Sequence, residues 1–497
     1  VTDSTKSATA TITITALSGS PLANGTYVYH LSGQDSFGPC FFVGAFTVSG
    51  GSITGGNQDF SDSNMGYTNQ ITSSGSTLGY AADGTVQVAL TTANTNLGNK
   101  GTITLRGTKT SATRVVVSEY DGFAVGSGSI DLQTSTAAPS GGLAFLIAGV
   151  GFDTSNNLQA TGIGGVLNIT GTTVSTTGSV FDINFGGDNR AAQAFASGTV
   201  SAPDSLGRFS IGLTPNSSLG LADFVLTGYV VGPNQIQLVE SQQDDLGFNL
   251  GGMALTQGSN TGNFSQASLA SKTYVYGVSG VDTNGVLDLA GTFAFGSNNN
   301  ISGAMALNDL SNVGVNTISG GTYTVDPTGR VSLDNVAFTP INGTFFLQMY
   351  LDGNGNALVL GADEVELTAG PAYLQTTSTP TVFGAYGLST MGFLTDQNGT
   401  PWSAAGPVTI NSGSYTGFTD YSYGFLTGAT LGTTVATQSL SGTTNSSSGV
   451  ISLTGLNAVS FTGANSFVSY PVDGNRVVSI SIDSGLLSLG TLESVKP

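Results

Sequence analysis

The sequence predicts an all-β protein: four tandem antiparallel modules, each a barrel or a sandwich, preceded by an extended N-terminal strand. Three observations carry that expectation: a strand-and-turn composition, the lack of any sustained helical period, and a set of motifs that returns four times. Only 8% of the 497 residues are charged, against about 25% in ordinary globular chains. Hydrophobic residues make up 39%, with 26 Phe and 16 Tyr, and Gly reaches 73 residues. Abundant aromatics with little charge argue for packed cores and against disorder. Thr, Val, Ile, Phe and Tyr punctuated by Gly and Asn suit strands joined by tight turns.

The charge balance narrows the partners. Thirty Asp and Glu face 11 Lys and Arg, a formal net charge of −19. Nucleic acid and anionic membrane surfaces both need a basic footprint that this chain lacks. The longest apolar run, "GLAFLIAGVGF" (142–152), is shorter than the roughly 20 residues of a spanning helix. Cys40 is the sole cysteine, so no disulfide forms within the chain, and a buried structural thiol is expected. The chain starts at Val1 without Met, which reads as a processed or partial product. Scarce lysine suits an extracellular setting.

The first element is "TKSATATITITALSG" (5–19). Ala8, Ala10, Ile12, Ile14 and Ala16 fall on one face and Thr9, Thr11, Thr13 and Thr15 on the other, the period of two of a half-buried strand. Four modules follow. Each opens on a strand such as "YVYHLSG" (27–33), "LAFLIAG" (143–149), "YVYGVSG" (274–280) or "FGAYGLS" (383–389). A second strand comes next, as in "VGAFTVSGGSITGG" (43–56) and "LAGTFAFGSNNNISGA" (289–304). A strand–turn–strand unit is third, as in "SGTVSAPDSLGRFSI" (197–211) and "GTYTVDPTGRVSL" (321–333). The module ends with an apolar strand pair around a turn, "FFLQMYLDGNGNALVLGAD" (345–363) or "FVSYPVDGNRVVSISID" (467–483). Self-similarity at this spacing marks a repeat architecture. The expected divisions are an arm at 1–19 and modules at 20–137, 138–266, 267–378 and 379–497. Meandering hairpins favour the up-and-down barrel over the sandwich.

These motifs resemble repeat modules of large, uncharacterised secreted or surface proteins of soil bacteria. In such proteins the modules commonly follow bacterial immunoglobulin-like domains, and "VTDSTKSATATITITA" (1–16) resembles the last strand of one. The resemblance implies secretion and β architecture. Its motifs are turn and core positions, so it implies no activity.

Chemical motifs are sparse. Asp352, Asn354 and Asp363 in "DGNGNALVLGAD" (352–363) have the spacing of a calcium loop, but Ala357 stands where such a loop needs Gly. A hairpin turn explains the same residues. Glu119, Glu240, Asp363 and Asp483 recur at the end of a late strand, where carboxylates cap strand ends or keep an edge soluble. His30 is the only histidine, and no His/Cys cluster or phosphate loop accompanies it. No cofactor is expected beyond a calcium ion at the Asp352 loop. Trp402, the only tryptophan, is expected in a loop, "DQNGTPWSAAG" (396–406), and Tyr415 in the aromatic-rich "SYTGFTDYSYGF" (414–425); either would suit stacking on a sugar, though core or interface packing outweighs that reading.

The functional expectation is a non-enzymatic extracellular subunit that polymerises into a filament or surface layer. Its joint is the N-terminal strand, completing a sheet of the next copy. The alternative is a carbohydrate-binding adhesin presenting loops such as 396–406.

Overall fold

The computed structural model describes residues 19–496, apart from 154, 242–243, 245, 310–311, 341–342, 378–381, 395–398, 428–429, 448–449 and 457–464. The N-terminal strand with Ala8, Ala10, Ile12, Ile14 and Ala16 lies outside the described residues. The chain forms four closed eight-stranded antiparallel barrels in tandem. The barrel, not the sandwich, is the module.

In barrel 1 each of eight strands pairs with the next, and the first (Gly25–Asp35) closes on the last (Val125–Leu132). Barrels 3 and 4 repeat this, with first strands Thr273–Asp282 and Gly384–Leu394 closing on Glu366–Leu374 and Leu486–Ser494. Barrel 2 runs from Gly141–Phe152 to Asn249–Thr256. It carries an extra strand, Asp188–Gln193, on the edge of its third, and its ring is completed through the single pair Thr173 and Thr199. An eight-stranded barrel has just enough room for its own side chains. The interiors are filled accordingly, in barrel 1 by Tyr27, Phe42, Phe46, Phe60, Val88 and Leu105.

The repeat register needs one correction. "FGAYGLS" aligns Phe383 with Tyr27, but the structure puts Tyr386 in that place. Tyr386 lies opposite Ser494, as Tyr27 lies opposite Leu132 and Tyr274 opposite Leu374. Tyr386 is 1% exposed and Phe383 is 56% exposed, just before the strand. Both residues are aromatic, so the motif could not distinguish them; burial does.

The barrels do not stand apart. The first and second strands of each pack on the sixth and seventh of the next. Between barrels 1 and 2, Val28, Phe41 and Val43 meet Tyr229, Val231 and Val239. Leu146 and Val166 meet Tyr350 and Leu358 at the second seam, and Val275 and Ala290 meet Tyr470 and Val478 at the third. Glycines serve as sockets. A Cβ on Gly251 would come within 2.2 Å of the Phe41 ring, and one on Gly164 within 2.4 Å of the Tyr350 ring. Barrel 4 then returns to barrel 1. Ser118 and Ser403 share a buried hydrogen bond of 2.7 Å, Arg114 Nε donates to Glu493 Oε2 at 2.7 Å, and Lys496 N donates to Thr110 O at 2.8 Å. A head-to-tail contact whose rotation closes makes a ring. Here one chain supplies all four members.

Three of the four seams carry a polar lock at one repeated position, held by Asp59, Asp182 or Asp420. At the first, Arg208 grips Asp59 through Nε and Nη2, both at 2.8 Å, and the Tyr229 hydroxyl donates to Asp59 at 2.6 Å. At the second, Arg330 donates to Asp182 at 2.6 and 2.8 Å and Tyr350 adds a bond of 2.8 Å. At the third, Ala306 replaces the aspartate, facing Ala290 as Asp182 faces Gly164. Val450 begins the fifth strand, where Arg208 and Arg330 begin theirs. The buried Tyr470 hydroxyl has no hydrogen-bond partner among the described residues. Asn308 spans this seam, its Nδ2 donating to the carbonyls of Ser481, Asp483 and Leu486 at 2.9–3.2 Å, as Asn184 Nδ2 does to Gly361, Asp363 and Glu366 at the second seam at 2.9–3.3 Å. At the fourth, Asp420 accepts from Thr85 Oγ1 at 2.9 Å and from Thr437.

The linkers add a second clamp. Gln133 Nε2 donates to Leu206 O and Val230 O of barrel 2, at 2.8 and 2.7 Å. Gln257 does the same to Thr328 O and Leu351 O of barrel 3, and Gln375 to Pro471 O of barrel 4.

The Asp182 side chain is fully buried. Removing one partner of such a pair strands a charge and costs about 3–5 kcal/mol. Asp182→Ala is therefore expected to lower the urea midpoint sharply. Adding Arg330→Val, which copies the residues of the third seam, should restore a large part of it. Equilibrium urea unfolding of the single and double variants checks this.

Candidate functional site

The ring encloses a cavity of about 540 Å³ at the junction of the four barrels. Its wall is built from the same parts four times, the outward faces of each barrel's first and last strands. His30, Leu146, Gly277 and Ser389 occupy one layer, and Ser32, Ala148, Ser279 and Met391 the next. The period of two dictates this, because the residues between them (Tyr29, Leu31, Phe145 and Ile147) point into the barrel cores. Last strands contribute Met253, Leu367, Leu487 and Leu489. The wall is mainly apolar.

Among the described residues, His30, Arg114, Asp288 and the phenol of Tyr373 are the ionisable groups on the wall. His30 is half-buried, its Nδ1 3.3 Å from Ser129 Oγ. Burial pushes its pKa down to about 4, so it is neutral at physiological pH. Arg114 is neutralised by Asp131 at 2.6 Å and Glu493 at 2.7 Å. Asp288 is 2% exposed, and its Oδ2 has no hydrogen-bond partner among the described residues. Burial raises its carboxyl to about 7, with the Ser279 hydroxyl opposing.

The residues singled out in the sequence lie elsewhere. Trp402 is in the second strand of barrel 4, not in a loop. It is wholly buried in the core with its indole N–H directed at Leu487 O, 3.4 Å away. Tyr415 is equally buried in that core. Neither presents a face to a sugar, because their rings fill the barrel interior.

The Asp352 loop is a hairpin turn. Its carboxylate accepts from Asn354 N at 2.7 Å, Asn356 N at 2.9 Å and Asn356 Nδ2 at 2.7 Å. Asp363 caps a different turn through the N–H groups of Val365 and Glu366. The calcium spacing is thus taken up by two Asx-type turns. Among the described residues, no group of three or more His, Cys, Asp or Glu is placed to hold a metal ion.

The recurring acids divide into two sets. Glu119 and Glu240 are buried and lie opposite Leu105 and Leu226, positions that Gly361 and Ser481 take in barrels 3 and 4. Asp363 and Asp483 come two residues later and cap turns. Cys40 is a buried thiol in the barrel 1 core.

Asp288 and the cavity wall were missed. The available signal was the outer face of the first strand, which apart from His30 and Gln34 in barrel 1 is small or apolar where a solvated barrel would carry Thr or Lys.

No protein family model matches the chain, and neither does any curated protein. Among solved structures, a protein of unknown function from Nostoc punctiforme is 12% identical, covering 46% of this chain and 97% of its own, with a TM-score of 0.17. A variant of the vaccine antigen transferrin binding protein B from Haemophilus parasuis is 10% identical, covering 71% and 76% with a TM-score of 0.17. Another variant of that antigen is 8% identical, covering 95% and 77% with a TM-score of 0.14. Likenesses at this level carry no functional argument.

The buried acids make stability depend on pH. Burial raises Asp35 and Glu366 to about 8, and burial with the neighbouring Asp244 raises Glu240 to about 10. The folded state thus holds protons that the unfolded chain releases above about pH 4. This stability is whole below that pH and lost as pH rises through the folded values. His30 acts oppositely, its contribution lost as pH falls from about 6.5 towards 4. Thermal unfolding midpoints should therefore fall between about pH 5.5 and pH 9, and Glu240→Gln should flatten that slope. Scanning calorimetry in constant-ionic-strength buffers measures both.

Proposed function

We propose that this chain is an extracellular, non-catalytic structural subunit, a rigid four-barrel block that joins its neighbours through the N-terminal strand. The observation that carries this reading is the ring itself. Four barrels with filled interiors are locked by polar clamps at every seam, an arrangement that invests the chain in stiffness. Its barrel interiors are packed and apolar, the reverse of a membrane barrel with its polar lumen and lipid-facing exterior. The strand at residues 5–17 supplies the joint in this reading. Its alternating face requires burial, and a strand added to a neighbour's sheet gains about eight ladder hydrogen bonds at about 1 kcal/mol each. Exposed Val315, Phe346 and Phe383 offer apolar surface for such contacts. The adhesin reading loses its anchor, because Trp402 and Tyr415 are core residues.

Deletion of residues 1–17 is expected to leave a folded ring that no longer assembles. Negative-stain electron microscopy and light scattering of the full and shortened chains test this. Polymers of unchanged length from the shortened chain, or no assembly by the full chain, would overturn the reading.

A further inference from the structure

We propose that the central cavity is a binding site for a cationic amphiphile, an apolar chain ending in a protonated amine that meets Asp288. The volume, about 540 Å³, falls within the roughly 300–1,000 Å³ of small-molecule sites. Such sites combine an apolar wall with a few placed polar groups. Leu146, Met253, Leu367, Met391 and Leu489 provide the wall.

Asp288 provides the polar group, and its position is informative. Ser279 faces Asp288 in barrel 3 as Ser32 faces Phe41 in barrel 1. In barrel 1 that residue is a plug, the Phe41 ring seated over Gly149 and Gly251 of the next barrel. In barrel 3 the plug is exchanged for a buried carboxyl with one oxygen unpartnered. A buried polar atom without a partner costs about 1–3 kcal/mol, a cost that a donor on a ligand would remove.

Charge selects the kind of donor. Among the described residues on the wall the one Lys or Arg is Arg114, whose charge is already met by Asp131 and Glu493, so a fatty acid would have to compete with two carboxylates for it. The net charge of −19 repels anions and concentrates cations.

The entrance is apolar as well. The turn joining the first two strands carries Phe37 in barrel 1, and Phe152 and Leu158 flank it in barrel 2. The turn before the last strand of barrel 3 carries Val365. All four are more than 40% exposed. These turns adjoin the lining residues Gln34, Pro39, Val150, Ala160 and Leu367 on their strands, so apolar side chains continue from that end of the wall.

Isothermal titration of the full chain with dodecylamine, dodecanol and dodecanoate at pH 8, each below its solubility limit or critical micelle concentration, tests the proposal. Dodecylamine is expected to bind one per chain, at least tenfold tighter than either competitor. Asp288→Asn should remove that preference while leaving dodecanol binding unchanged. Ser279→Trp, at an exposed position on the wall, should abolish binding of the amine and the alcohol. Ala148→Phe repeats the block from another barrel, with circular dichroism confirming the fold of each variant. Equal affinity for the three probes, a preference for dodecanoate, no saturable binding, or binding that survives both blocking substitutions would overturn it.

Discussion

The structure depends on strands that must be buried on both faces. A solitary barrel hides one face of each strand and wets the other, so its sequence alternates. The fifth strand of barrel 2 obeys this, Arg208–Pro215 alternating half-buried and buried residues along its length. The seventh strands do not. Arg114–Glu119, Gln235–Glu240, Asn356–Gly361 and Arg476–Ser481 are each buried at five consecutive positions. Such strands need cover inside and out, and only a neighbouring barrel supplies the outer cover. Every barrel has one doubly buried sector shared with the barrel before it and another shared with the barrel after it. Four members satisfy all of them when the last returns to the first.

Seam chemistry shows how far a repeated position can drift while its packing stays. Two seams hold an aspartate gripped by arginine and tyrosine. The third has lost both charges together, retaining Tyr470 and the asparagine bridge that the second seam also has, Asn308 matching Asn184. Loss of one charge alone would leave the other buried and unpaired, which is the expensive outcome. The fourth uses Thr85 and Thr437 on Asp420, whose carboxyl burial raises to about 6. These differences make the ring four-membered in shape but asymmetric in chemistry. The same drift placed a carboxyl at Asp288 where barrel 1 has a phenyl ring.

Much of this was legible in the sequence. Four modules, their turns and their strand pairs followed from glycine punctuation and the recurring "YVY" and "GRVSL" motifs, because those features are local. Choosing a barrel over a sandwich needed the pairing of first and last strands, which are separated by about a hundred residues and leave no local mark. Trp402 and Asp352 each allowed two readings in the sequence, and the structure takes the packing and turn readings. An aromatic in a polar context and an Asp-Asn-Asn spacing look functional until burial and backbone hydrogen bonds are known. The ring did leave a trace, in runs such as "RVVVSE" and "ALVLGAD" whose unbroken hydrophobicity exceeds what one barrel core can use. Glycine was also read too narrowly. Gly164 and Gly251 are sockets for a neighbour's ring, not turns.

Ring closure is the claim on which the seams, the cavity and the rigidity all rest, and small-angle X-ray scattering of the monomeric chain tests it most directly. A closed ring of 497 residues should scatter as a compact particle with a radius of gyration near about 23 Å. A radius well above that value, with the long-tailed distance distribution of a linear string of barrels, would contradict it.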